Sequence, residues 1–194
     1  MKRLLGKKAV ITGGSEGIGL GIARAMAQNG ADILLIARNQ DKLDRVSHDL
    51  KGFEVDINTL SADLSNASTI DKLSKDILSK WNSIDVLVNN AGTAIFAPLS
   101  EVSEQDYDLQ MNLNVKAPYL LTQKLLPALI KSKGSVINIS SYLAHKMISR
   151  ASSSVYSMTK GAMNSFTKAL AYELGSKGIR VNAIAPGTVN TPLV

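Results

Sequence analysis

Lys8-Ala9-Val10-Ile11-Thr12-Gly13-Gly14-Ser15-Glu16-Gly17-Ile18-Gly19 is the stretch that decides the fold. Its first five residues form a short, mainly apolar run closed by glycines, which reads as a buried strand. A helical pattern follows, with Ile18, Ile22, Ala25 and Met26 on one face and Gly30 as the stop after Asn29. Gly13, Ser15, Gly17, Ile18 and Gly19 therefore occupy a turn between a strand and a helix N-terminus. Glycines in that setting let the backbone approach a phosphate, and the free N–H groups of the helix point at it.

Downstream, strands and helices alternate. Asp32 to Ala37 reads as a second strand, Asp41 to Leu50 as a polar-faced helix, and Phe53 to Leu60 as a third strand with Phe53, Val55 and Ile57 alternating. Ser65 or Ser68 is a candidate cap for the next helix, whose buried stripe is Ile70, Leu73, Ile77 and Trp81. Asp85 to Val88 reads as a fourth strand. Ser103 caps a long helix from Glu104 to about Lys131, with Tyr107, Met111 and Val115 on one stripe and an interruption at Asn114 and Pro118. Gly134 to Ile139 is a fifth strand, Ser154 to Gly175 a helix, and Ile179 to Ile184 a sixth strand. This order predicts a doubly wound α/β fold in three layers, a parallel sheet covered on both faces, as a single domain over 1–194.

Such sheets bind ligands at the carboxyl ends of their strands. Six polar motifs fall there: the glycine turn, Arg38, Asp63, Asn90 to Gly92, Ser140-Ser141, and Pro186-Gly187. An acidic residue in place of Arg38 would bind a ribose 2′-hydroxyl, whereas an arginine suits a 2′-phosphate, so NADP (NADPH) is expected ahead of NAD. Glu16, inside the glycine turn, works against an additional phosphate. Tyr156 and Lys160 stand four apart, one turn from each other on the last helix. An ammonium beside a phenol favours the phenolate and lowers its pKa, making the pair a proton donor and acceptor near neutral pH.

Composition narrows the classes further. With no cysteine, disulfides and thiolate metal sites are excluded, and two separated histidines make no metal cluster, so no metal is expected. The net charge of +6 comes from scattered basic residues, and aromatics are 5%, too few for a stacking platform, so nucleic acid is not an expected partner. No apolar run is long enough to span a bilayer and none resembles a secretory leader, which makes a cytoplasmic protein with no membrane partner the expectation.

Together, Thr12-Gly13-x-x-x-Gly17-Ile18-Gly19, Asn89-Asn90-Ala91-Gly92, Asn114, Ser141, Tyr156-x-x-x-Lys160 and Pro186-Gly187 resemble the short-chain dehydrogenase/reductase family, in its order and over nearly the whole chain. The resemblance implies a Rossmann-like fold and an oxidoreductase that moves a hydride between a nicotinamide cofactor and a carbonyl or alcohol substrate. It implies Tyr156 as general acid and base, and Lys160 as the group that lowers the Tyr156 pKa and binds the nicotinamide ribose. Ser141 donates to the substrate oxygen, and Asn114 holds a water in a relay through Lys160. Asp63 and Leu64 resemble the pair beside the adenine, and Asn90, with Ala91 and Gly92, the segment supporting the cofactor. Pro186, Gly187, Val189 and Thr191 match the segment at the nicotinamide. It also implies a homodimer or homotetramer through the long helices.

Against the family pattern, the Ser141–Tyr156 segment is slightly long, which keeps Ser140 and Ser152 to Ser154 as alternatives for the serine. The chain also stops at Val194, short of the family's last helix and strand, so it reads as incomplete at that end. A non-catalytic dinucleotide-binding sensor on the same fold is the rival reading. His145 lies in the Ser141–Tyr156 loop. Tyr142, Leu143, Met147, Ile148, Ile95 and Phe96 are candidates for an apolar pocket wall.

Overall fold

The computed structural model describes residues 2–148 and 152–192. Six parallel strands form one sheet: β1 (Lys8–Thr12), β2 (Asp32–Ala37), β3 (Ile57–Ser61), β4 (Val86–Asn89), β5 (Ser135–Ile139) and β6 (Arg180–Ile184). Their spatial order is β3-β2-β1-β4-β5-β6, the Rossmann-like arrangement in which the chain reverses direction across the sheet between β1 and β4. The connecting helices are α1 (Gly17–Gln28), α2 (Gln40–Leu50), α3 (Ala67–Lys80), α4 (Glu104–Met111), α5 (Ala117–Ser132) and α6 (Ser154–Gly175).

β2 shows why the sheet is three-layered. Ile33, Leu34, Leu35 and Ile36 have no exposed surface, so both strand faces are buried, as a continuous apolar run requires. Leu34 and Ile36, with Val10, Leu87 and Val136, pack with the stripe Ile70, Leu73, Ile77 and Trp81 of α3 and with Leu121 and Leu125 of α5. Ile33 and Leu35, with Ala9 and Ile11, pack against α1 and α2 on the other face. Burying each such side chain contributes about 1.5–3 kcal/mol.

Several elements differ from their sequence reading. The face α1 buries is Gly19, Ala23 and Ala27, flanked by Ile22 and Met26, while Ala25 is exposed. Small residues win there because the helix rides close to the sheet. A Cβ at Gly19 would stand 2.2 Å from the Gly13 carbonyl oxygen. β3 begins at Ile57, not Phe53, because Lys51–Phe53 is a 3-10 turn ended by Glu54 at φ 57. The cap of α3 is Asn66, whose side chain accepts from the Ser68 N–H, leaving Ser65 to bond Asp63. Ser103 does cap α4, accepting from the Asp106 N–H. Of the Tyr107 stripe, Tyr107 is exposed while Met111 and Val115 are half-buried; the residue α4 buries is Gln110, whose side-chain oxygen accepts from the Ile95 N–H at 3.1 Å.

The anticipated interruption is a single π-helical turn, Asn112–Lys116, between α4 and α5. Pro118 has no N–H to return to the Asn114 carbonyl, which accounts for the break in the ladder at this point. A buried polar ladder then sets α6 against the sheet: Asn89 donates to Asn138 at 2.8 Å and to Thr122 at 3.1 Å, and Asn138 donates to Thr167 at 2.9 Å.

The two glycine environments of α1 give a paired test. Gly19→Ala should cost about 2–3 kcal/mol in urea unfolding, because the new methyl meets backbone that has no room to yield. Gly21→Ala, an exposed helical position with nothing within 4 Å, should stabilise by about 0.5–1 kcal/mol. Equal effects at the two positions would refute the close approach of α1 to the turn.

Candidate active site

The seam between β1 and β4 is closed by one hydroxyl. Thr12 Oγ1 donates to the Val88 carbonyl at 3.2 Å and accepts the N–H groups of Asn90 and Ala91, each at 3.0 Å. The Asn90 side chain completes the clasp by donating to the carbonyls of Thr12 (2.9 Å) and Gly13 (3.1 Å). Gly13 at φ +65 and Gly17 at φ +55 adopt the left-handed conformation that glycine tolerates best. The N-cap of α1, Glu16, makes no side-chain bond to the helix, and the first turn of α1 carries no acidic residue. Its N–H groups are thus available to an anion.

From this turn a cleft of about 850 Å³ runs along the strand ends. At one end lie Arg38, Asn39 and Lys42; at the other Ser141, Tyr156 and Lys160. Its walls include Gly13, Ser15, Gly17, Ile18, Leu64, Asn90, Ala91 and Gly92, and the stretch after β6 contributes Pro186, Gly187, Val189 and Thr191. That stretch folds back far enough for Thr191 to sit 3.3 Å from a Cβ built on Gly17. Three of the residues given a cofactor or catalytic role from sequence do not line the cleft, and of the expected apolar wall Ile95 and Met147 are not among its lining. Gly19 is buried beneath the turn. The Asp63 carboxylate is held by the Ser65 hydroxyl and N–H, which together with the Arg38 charge keep its pKa below the usual carboxylate value despite some desolvation. Asn114 is fully buried behind the cleft.

The far end is organised by α6. Tyr156 and Lys160 are both buried, and the ammonium lies 5.5 Å from the phenol ring centroid. Phe96 packs its ring edgewise on Tyr156 at 5.8 Å. Burial pushes the Tyr156 pKa up, and the hydrogen bond from Ser141 offsets this only in part. The direction is opposite to that expected from the Tyr156–Lys160 spacing. Lys160 instead donates to the Ile139 carbonyl at 2.8 Å, and burial lowers its own pKa to about 8. Sequence could not show this, because Ile139 ends a strand 21 residues away.

Among the candidate serines, Ser141 is the one whose hydroxyl bears on the phenol, lowering its pKa, while accepting the Leu143 N–H at 3.2 Å. Ser140 donates to the Lys160 carbonyl, and Ser153 pairs with Ser157. Asn114 is clamped by two reciprocal bonds with the Thr93 backbone (2.9 and 2.8 Å) and by a bond to Thr159, whose hydroxyl donates to the Tyr156 carbonyl. Thr159 and Thr93 escaped the sequence reading; the only hint was that Thr159 precedes Lys160. His145 faces outward and pairs with Asn164. Among the described residues no cluster of metal-ligating side chains occurs, and no helix is long and apolar enough to cross a membrane.

This geometry has close counterparts among known proteins. The family described as short chain dehydrogenase matches residues 7–194. Oxidoreductase UcpA of Salmonella typhimurium is 35% identical over 193 residues, covering 100% of this chain and 73% of that protein. L-sorbose reductase of Gluconobacter frateurii, solved with NADPH and L-sorbose, superposes with a TM-score of 0.92 at 34% identity, covering 97% of this chain and 72% of that one. A metagenomic short-chain oxidoreductase solved with NADP superposes at 0.89 with 36% identity, covering 96% and 84%. The chain belongs to the short chain dehydrogenase family, a family of oxidoreductases.

Burying the Lys160 charge has a pH-dependent cost. Below pH 8 the lysine is protonated in both folded and unfolded chains, and the folded state bears the whole penalty of desolvation. Between about 8 and the ordinary value of 10.5 the folded chain releases the proton first, and the penalty fades. Lys160→Met should therefore stabilise the chain by about 1–3 kcal/mol at pH 7, net of the lost bond to Ile139. Thermal unfolding from pH 7 to 10 should show that advantage shrinking; an advantage independent of pH would contradict a buried ammonium.

Proposed function

We propose that this chain is an NADP-dependent oxidoreductase that exchanges a hydride between the nicotinamide and a carbonyl or alcohol substrate, with Tyr156 as general acid and base. The observation that carries the reading is the convergence of the Ser141 hydroxyl, the Tyr156 phenol and the Lys160 ammonium at one end of a cleft whose other end holds Arg38. The cleft suits an extended dinucleotide. The glycine turn and the uncapped α1 N-terminus accept the pyrophosphate, and Arg38 takes the 2′-phosphate. Leu64 would border the adenine, and Asn90, Ala91 and Gly92 would support the middle of the cofactor, since all four line the cleft. Pro186, Gly187, Val189 and Thr191, which line the far part of the cleft, would hold the nicotinamide.

The bound cofactor supplies or accepts the hydride. The chain's own residues manage the substrate oxygen. Tyr156 is protonated at neutral pH because burial holds its pKa up, so in the reducing direction it delivers that proton as negative charge grows on the oxygen. The Ser141 hydroxyl donates to the same oxygen. Lys160, still mainly charged at pH 7 with a pKa of about 8, stabilises the phenolate left behind and binds the nicotinamide ribose. The Asn114 carbonyl, which Pro118 cannot satisfy, is the acceptor for a relay water feeding Lys160. Phe96, Leu143 and Ile148 form an apolar wall where the substrate body would lie.

Tyr156→Phe should lower turnover about a thousandfold while leaving the NADPH dissociation constant within about twofold. Retained turnover in a carbonyl screen would remove Tyr156 as the acid. Arg38→Asp should weaken NADPH by about tenfold or more and leave NADH little changed. Nicotinamide fluorescence titration reads both, and unaltered NADPH affinity would take Arg38 out of the 2′-phosphate site.

A further inference from the structure

The residue that opposed an additional phosphate in the sequence does not stand alone. The Glu16 carboxylate forms an ion pair with Lys42 at 2.5 Å. Glu16 sits in the glycine turn and Lys42 in the first turn of α2, so the pair bridges two separate walls of the cleft beside Arg38. Both side chains remain about half exposed, at 46% and 49%. Asn39 caps α2 by accepting from the Lys42 N–H, which fixes the lysine backbone at this mouth while leaving its four-carbon stem free to turn. Among the described residues the Arg38 guanidinium makes no ion pair, so it is the one cation here that is already available.

We propose that Lys42 is a second cation for the 2′-phosphate of the cofactor, held in reserve by Glu16, and that the Glu16–Lys42 pair thereby sets how strongly the chain prefers NADPH over NADH. The inference rests on the reading of Arg38 given above. A 2′-phosphate carries close to two negative charges at neutral pH, against one on a carboxylate, so it can draw the Lys42 ammonium away from Glu16. The exchange leaves Glu16 unpaired beside the phosphate, and that repulsion falls on NADPH alone. NADH, with a neutral 2′-hydroxyl, binds with the ion pair still closed. Glu16 thus restrains a preference that Arg38 and Lys42 together would otherwise make steeper.

The two half-exposed side chains can be changed without touching the core, and binding is read by nicotinamide fluorescence with no need for a substrate. Glu16→Gln should tighten NADPH about three- to tenfold and leave NADH within about twofold, the scale of an exposed ion pair facing a dianion. Adding Lys42→Gln to Glu16→Gln should abolish that gain and flatten the salt dependence of NADPH affinity. If Lys42 merely neutralises Glu16, the double variant will bind NADPH as tightly as Glu16→Gln alone, and the proposal is overturned. An unchanged NADPH affinity in Glu16→Gln overturns it as well. Arg38→Asp in the wild-type background separates the two levels. A loss of NADPH affinity there with no response at Lys42 rejects only this inference; no response at Arg38 rejects both.

Discussion

The Thr12 hydroxyl is the constraint on which the rest of the cleft depends. Where strand order reverses between β1 and β4, the chain leaves the two strand ends toward opposite faces of the sheet, and the regular ladder stops. The last backbone groups on each side would then be left unpaired in a partly buried setting, at about 1–3 kcal/mol each. One hydroxyl that accepts two N–H groups and donates to one carbonyl closes that gap, and the Asn90 side chain secures the next two carbonyls. The glycine turn is therefore tied to the end of β4 before any ligand arrives. Its conformation is a property of the sheet and does not have to be assembled on binding.

The Tyr156–Lys160 end shows the opposite economy. Lys160 is only 5% exposed, its one described hydrogen bond is to a backbone carbonyl, and among the described residues no carboxylate pairs with it. Buried charges of this kind are costly unless paired. The fold tolerates the cost because α6 is pinned on both sides, by Asn138 through Thr167 and by Asn114 through Thr159. Those two bonds hold the helix at a height that keeps Tyr156 beside Ser141. The same π turn that disrupts the α4–α5 ladder also delivers Asn114 to this position, so local irregularity in one helix secures the regularity of another.

Legibility in the sequence followed the range of the interaction. β2, α3 and α6 were readable because continuous apolar runs and a 3.6-residue period are local patterns; the bounds read for β2 and α6 coincide with the observed ones, and the α3 stripe is buried although its cap is Asn66. The strand-end motifs were readable because a parallel sheet brings all its carboxyl ends to one edge regardless of side-chain detail. What sequence missed was decided elsewhere in space. The start of β3 moved because Glu54 takes a left-handed conformation, and the inner face of α1 shifted to Gly19, Ala23 and Ala27 because the helix passes too close to the Gly13 turn for a larger side chain there. The Tyr156 pKa moved up because burial outweighs a neighbour four residues away, and that neighbour is turned toward Ile139. Glu16 looked hostile to phosphate only because Lys42, 26 residues on, was not visible as its partner.

The two ends of the cleft therefore place charge in different surroundings. At Arg38, Glu16 and Lys42 the charges meet solvent, so their interactions are screened by salt, individually modest and easily exchanged for those of a ligand. Such groups can grade affinity among related cofactors. At Tyr156 and Lys160 the side chains are largely buried at the cleft wall, so electrostatic effects there are larger and less screened by bulk ions. Such groups can hold or release a proton but would be a poor means of sampling different ligands. A cleft built with the buried pair at the adenosine end would bind one cofactor rigidly, and one with the exposed pair at the substrate end would lose proton control to water. The order found here, exposed charge at one end and buried charge at the other, follows from where α2 and α6 meet the sheet: α2 opens at its rim and α6 crosses its covered face.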